Sequence, residues 1–372
     1  MTLPIFRFPL LRLLATTSLS FAVSAYAQGA DTTVIYGRLN LAAERVDLPG
    51  GAQPHSSRLS NYRSVLGFRG SEDLGDGFKA IWQLEGALSL DTGTGGFLSR
   101  DTRVGLAGPW GTAFAGVWTL PYTLATSSFD PFYPTTAGYM ALMGNGSAPS
   151  TDNVIDSSSF DRRQRNVVQY WSPTWAVDSA HISARIASAF NEESVAATGA
   201  RPSLISASAT AEGRGWTLTA AHEIHRQYQT AQGSDTGSKL GASTAFAPVK
   251  LAAVVEHLRY ETATGSLSRN AAYVSAAWKI GATTLNAGYA RAFDGRGAAS
   301  SRVGFIASGG HTGASQLTLG VDHSLSPRTT LFVFFSRIAN ESGAAYDFAI
   351  NTAGVTAGQD PRVIALGLRH SF

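Results

Sequence analysis

The stretch Thr33–Val46, TVIYGRLNLAAERV, alternates with a period of two: Ile35, Gly37, Leu39 and Leu41 fall on one side, Tyr36, Arg38 and Asn40 on the other. Successive side chains of a β-strand point to opposite faces, so this is a strand with one apolar and one wet face. The stretch FKAIWQLEG from Phe78 to Gly86 repeats the pattern, with Phe78, Ala80, Trp82 and Leu84 opposed to Lys79, Gln83 and Glu85. At the far end, VIALGLRHSF sets Ile364, Leu366, Leu368 and Phe372 against Arg369.

Outward from these, sixteen such segments are found near residues 33–46, 63–70, 78–88, 102–108, 112–118, 166–172, 181–190, 203–212, 216–225, 239–246, 249–260, 271–280, 283–292, 315–325, 329–338 and 362–372. The connections alternate too. Those after even-numbered segments are short and rich in turn residues, such as SEDLGDG, GPWG and EGRG. Those after odd-numbered segments are long and polar: 47–62, 89–101, 119–165, 191–202, 226–238, 261–270, 293–314 and 339–361. An antiparallel transmembrane β-barrel with an even strand number, short periplasmic turns and long external loops predicts this alternation. Closure would pair the last strand with the first and leave no unpaired edge in lipid.

Composition agrees. Hydrophobic residues make up 44% of 372, yet no stretch beyond the N-terminus approaches the roughly 20 apolar residues of a membrane helix. The N-terminus reads as an export leader over residues 1–27, with Arg7 and Arg12, an apolar run, and Ala25-Tyr26-Ala27 as a small-x-small cleavage site; the barrel domain is then 28–372. Removing the leader takes two cations from a formal charge of +3, so charge gives no nucleic-acid footprint. The absence of cysteine excludes disulfides, thiolate metal sites and a cysteine nucleophile.

The segment 119–165 is the longest that fits neither strand nor helix. Connections longer than about 12–15 residues are usually functional or disordered, and Tyr122, Phe129, Phe132, Tyr133 and Tyr139 argue against disorder. It is expected to fold into the lumen and narrow it, its carboxylates held against wall arginines by charge-assisted hydrogen bonds. Tryptophans near strand ends, among them Trp118 and Trp171, are expected in an interfacial girdle.

The sequences TVIYGRLNL, GFRGSEDLGDGFKAIWQLEG, VGLAGPWGT, YWSP, LGVDHSLSPRTTLF and terminal GLRHSF, in this order, resemble the trimeric general porins of Gram-negative outer membranes, of the beta-proteobacterial kind. The resemblance implies a homotrimer of 16-stranded barrels in outer-membrane lipid and lipopolysaccharide, an inward third external loop, passage of small hydrophilic solutes and ions, and no cofactor. Val65, Val117 and Gln169 stand where such proteins usually carry wall arginines. The expected constriction wall is Arg38, Arg63, Arg69, Lys79 and Arg165, opposed by Asp130, Asp152 and Asp156 from the loop; the cation excess predicts a mild anion preference.

Other chemistries are weaker. His222-Glu223-Ile224-His225 has a spacing of three on a strand, which sends the rings to opposite faces, whereas the zinc motif needs i and i+4 on a helix. GSDTGSK at 233–239 lacks the Gly-Lys pair of a phosphate loop and reads as an external loop. A barrel hydrolase would need a triad, and no nucleophile elbow is present; a soluble exported ligand-binding β-protein would need no lipid belt.

Overall fold

The computed structural model describes residues 31–51, 54–146, 158–190, 200–300 and 302–372. The leader, Asp152 and Asp156 lie outside the described residues.

Sixteen strands form one closed antiparallel barrel. They are β1 (Thr32–Asp47), β2 (Ser64–Gly75), β3 (Phe78–Ser89), β4 (Thr102–Gly108), β5 (Gly111–Thr119), β6 (Arg163–Trp171), β7 (Ala180–Ala189) and β8 (Ser203–Gly213). The second half is β9 (Trp216–Arg226), β10 (Ser234–Phe246), β11 (Val249–Thr262), β12 (Gly265–Ile280), β13 (Thr283–Ala292), β14 (Ala314–Ser324), β15 (Thr329–Asn340) and β16 (Arg362–Ser371). Each pairs with the next, and β16 returns to β1 in a register running from Arg38↔Ser371 to Asp47↔Arg362. The seam is extended by Phe372, whose N–H donates to the Gly37 carbonyl at 3.1 Å while the Gly37 N–H donates to its carbonyl at 3.0 Å.

Alternation separates two environments. Outward-facing Ile35, Val104, Ile186, Leu218, Leu240, Val255, Val274, Leu319 and Leu366 are exposed and form the apolar band that lipid covers. Their neighbours Asn40, Glu44, Glu85, Gln169, Glu223, Glu256 and Arg269 are buried, because the lumen side is packed with side chains and an inserted loop.

Several expected loops are strand. Residues His55–Asn61 pair with Leu41–Asp47 and continue β2 upward beyond a break at Tyr62–Arg63. The 261–270 connection shrinks to a tight hairpin between Thr262 and Gly265, and GSDTGSK is no loop, since β10 begins at Ser234. Above the bilayer both faces of a strand are wet, so the apolar alternation that marks a strand fades although its ladder continues. Trp175–Val177 likewise continues the β6 wall against β7.

Deleting Phe372 removes the last pair of seam hydrogen bonds. An orphaned backbone group costs about 1–3 kcal/mol, so the truncated chain should lose its compact, fast-migrating form at lower temperature in a heated-gel series. An unchanged transition would remove the seam from the determinants of closure.

Candidate functional site

The connection between β5 and β6 enters the barrel. It opens with a short helix, α1 (Pro121–Thr126), in which proline sits at the first turn where no N–H is needed. Single 3-10 turns follow at Ser127–Phe129 and Tyr139–Ala141. Tyr122, Phe129, Phe132, Tyr139, Leu142, Met143 and Phe160 are all buried.

Glycines on the inner wall form the seats for these rings. A Cβ added at Gly241 of β10 would lie 2.7 Å from Phe129, one at Gly320 of β14 2.7 Å from Phe132, and one at Gly237 2.7 Å from Phe160. Any side chain at those wall positions would displace the loop.

Polar anchors complete the seat. The Glu256 carboxylate of β11 accepts the Gly144 N–H at 2.8 Å, the Tyr122 hydroxyl at 2.9 Å and the Arg269 guanidinium at 2.7 Å. Arg269 in turn donates to the Leu142 carbonyl. Lys239 donates to Asp161 at 3.1 Å, while Gln316 and Thr318 donate to the Ala137 carbonyl, each at 3.1 Å. The anchoring thus differs from the expected one. The buried wall carboxylate Glu256 accepts from the loop backbone, and the described loop carboxylates Asp130 and Asp161 meet a tyrosine and a lysine instead of wall arginines.

Asp130 shows this most clearly. It accepts from the N–H groups of Phe132 and Tyr139 and from the Tyr273 hydroxyl, so it holds the loop's shape and is 4% exposed. Burial pushes its carboxyl up to about 6, in spite of those donors. Burial also pushes Asp161 up to about 6, although Lys239 works in the other direction.

Loop and wall leave an open section of 450 Å³, lined by Tyr36, Arg38, Glu85, Arg100, Asp101, Leu124, Ser127, Tyr133 and Arg163. Arg38 donates to the Arg63 carbonyl at 3.2 Å. Arg63 has φ 52°, a left-handed conformation uncommon outside glycine, and it lies in the break of the second wall strand. From there its guanidinium reaches the Tyr133 hydroxyl at 3.3 Å. Arg100 pairs with Glu85 at 3.1 Å, and Arg163 with Asp101 at 2.7 Å. Burial, then the nearby Arg163 and Arg63, pull the Arg100 guanidinium down to about 10, so it stays charged at neutral pH. Burial would raise Asp101, but Arg163 holds its carboxyl below the usual range.

Arg38 lines this open section, and Arg63 reaches one of its lining residues, Tyr133. Arg69 lies nearer the short-turn end, its guanidinium 5.0 Å from the Tyr36 ring centre, and Lys79 sits opposite Asp73 beside the turn itself. Arg165 is exposed next to Asn166, whose φ is 51°, where the β5–β6 register shifts between Gly116 and Trp118; simple alternation does not carry across that bulge. Arg100, Arg163 and Asp101 escaped sequence reasoning because they stand at strand ends, where no period orients a side chain.

Trp118 and Trp171 depart from the girdle expectation. Both pack with buried Phe114, Val167, Ala187 and Leu204 on the lumen side, while Val168 and Tyr170 face out. In β9, His222 faces out and bonds Ser238 at 2.7 Å, whereas His225 is buried against Glu223 at 2.7 Å, so the two rings occupy opposite faces.

Comparison with known proteins gives consistent matches. The sequence profile described as Gram-negative porin matches residues 15–344. The chain is 26% identical over 371 residues to outer membrane porin protein 32 of Delftia acidovorans, covering 97% of this chain and 99% of the relative. It is 31% identical over 167 residues to the major outer membrane protein P.IB of Neisseria gonorrhoeae, covering 43% and 44%. Among solved structures, the anion-selective porin from Comamonas acidovorans superposes with a TM-score of 0.75 at 21% identity, covering 92% of this chain and all of that one. The trimer form of OmpT from Vibrio cholerae gives 0.64 at 14% identity, covering 92% of this chain and all of that one.

Glu256→Ala leaves Arg269 buried without its counter-charge, and breaking a buried pair costs about 3–5 kcal/mol. The variant should unfold at lower denaturant and expose the 119–163 segment to protease; native-like resistance would place the anchor elsewhere. The raised carboxyls of Asp130 and Asp161 bind protons more tightly in the folded loop than in the unfolded chain. Their contribution to stability therefore grows as pH falls from about 7 to about 4 and is lost as pH rises through about 6. Denaturant midpoints at both ends of that window should show a smaller acid gain in Asp130→Asn than in the native protein.

Proposed function

The chain belongs to the Gram-negative porin family, and from that premise we propose a passive outer-membrane channel for small hydrophilic solutes, with a mild preference for anions and no catalytic turnover. The observation that carries the preference is the charge around the narrowing. Arg38, Arg63, Arg100 and Arg163 converge there, while Glu85 and Asp101 each pair with one guanidinium. A ring of fixed cations selects through its local field. Tyr133 meets Arg63 from the loop side and keeps the passage narrow enough for that field to act. The preference fades with salt, since the Debye length drops from about 10 Å at 0.1 M to about 3 Å at 1 M.

Residues 1–27 serve as the export leader in this reading. Three barrels associate through the outer face around β1 and β3, where Ala80 is small and the Phe372 ring covers Gly37. The external loop after β3 supplies an apolar contact, with Phe97 74% and Leu98 39% exposed. A barrel monomer on unheated gels and in native mass measurements would contradict the assembly.

The zero-current potential of the reconstituted protein in a planar bilayer under a KCl gradient tests selectivity. The native channel should favour chloride, and Arg38→Glu should move the potential toward cation preference. Cation preference in the native channel sinks the reading; an unmoved potential in Arg38→Glu removes Arg38 from the narrowing.

A further inference from the structure

Below the narrowing, the inner wall of β4 to β7 carries a second group of cations. Arg103 of β4 lies among three rings, its guanidinium 4.6 Å from the centre of Phe114, 4.3 Å from Trp118 and 5.4 Å from Trp171. Arg185 of β7 lies 4.9 Å from the same Trp171 ring. Backbone pairing fixes the arrangement, since Trp171 is the cross-strand partner of both Thr112 and Arg185. Gln169 then locks the indole by accepting its N–H at 3.0 Å while donating to the Thr119 carbonyl at 3.1 Å.

These two arginines are electrically unlike Arg100 and Arg163, which are ion-paired with Glu85 and Asp101. Among the described residues neither forms an ion pair. Of the carboxylates that act on them, Asp101 is already bonded to Arg163, and Glu212 lies beyond ion-pair distance from Arg185. Nε and Nη1 of Arg103 are covered and have no hydrogen-bond partner. Ring faces stabilise a guanidinium without satisfying its in-plane N–H groups. The wall therefore offers two uncompensated cations, braced by aromatic surface, to whatever enters the lumen. Both side chains are partly exposed, as is Trp171.

We propose that this patch is a binding subsite for aromatic monocarboxylates, the carboxylate meeting Arg185 and the Nη2 of Arg103, and the ring lying against the exposed part of Trp171, the one partly exposed ring of the three. A small inorganic ion is fully hydrated and gains nothing from the rings. An anion with an apolar, π-faced body gains from both parts, through offset or edge contacts with the Trp171 indole and charge-assisted hydrogen bonds from the guanidinium groups. The proposal rests on the channel reading for access to the lumen, but the patch is separate from the narrowing and its selectivity.

The test uses the full protein in planar bilayers, with benzoate, acetate and benzyl alcohol added to a KCl electrolyte. Benzoate should reduce the current at concentrations about tenfold below acetate, the factor expected for one good aromatic contact, and benzyl alcohol should have no saturable effect. Arg103→Gln and Arg185→Gln should each raise the half-blocking benzoate concentration while chloride preference stays as in the native channel. Saturable quenching of tryptophan fluorescence by benzoate in detergent, lost in Arg185→Gln, provides a readout independent of current. Channels that prefer chloride but respond equally to benzoate and acetate overturn this subsite alone; benzoate block unchanged in both arginine variants does the same. Absence of channels with saturable, Arg185-dependent quenching would instead support the subsite and sink the channel reading.

Discussion

In hydrocarbon a backbone N–H or C=O has only another strand to bond, and this constraint governs the rest of the molecule. It forces β16 back onto β1, down to the mutual hydrogen bonds of Gly37 and Phe372. It also makes the wall indifferent to what fills it. Because every wall strand is held by its neighbours, inner side chains are free to serve the loop and the solute, and this chain uses them for both.

The inside is divided accordingly. On one side, β10 to β15 press against the inserted loop with glycine seats, buried aromatics and the Glu256–Arg269 pair. On the other, β1 to β7 turn guanidinium groups toward the lumen: Arg100 and Arg163, buried and paired with Glu85 and Asp101, stand beside Arg38 and Arg63, followed by Arg69 and, on the wall beside it, Arg103 and Arg185. Buried charges are costly unless paired and hydrogen-bonded, which explains why those under the loop are in networks while the wet wall tolerates single cations.

The barrel was legible because lipid imposes a strict period: Ile35, Trp82 and Leu366 could be placed before any coordinates. Legibility stopped where that period did. His55–Asn61 and the first part of β10 looked like loop, because strands beyond the bilayer need no apolar face. Arg38 was placed by alternation alone, whereas Arg63 reaches Tyr133 only through a left-handed backbone that no pattern encodes. Trp118 and Trp171 had the composition of an interfacial belt but the parity of lumen residues, and parity is the stronger signal within a strand. For Asp130, the sequence showed a carboxylate in a loop and hid the three donors that turn it inward.

The glycine seats carry a consequence for assembly order. The loop leaves the wall after β5, yet Phe129 and Phe160 rest on β10 and Phe132 on β14. Contacts so distant in sequence pay their loop-closure entropy before they yield any stabilisation. The gauge of the passage is therefore set after the wall is built: a chain halted partway through the barrel would hold an unseated loop and a wide, leaky opening. Seating is the step that distinguishes a finished channel from a hole.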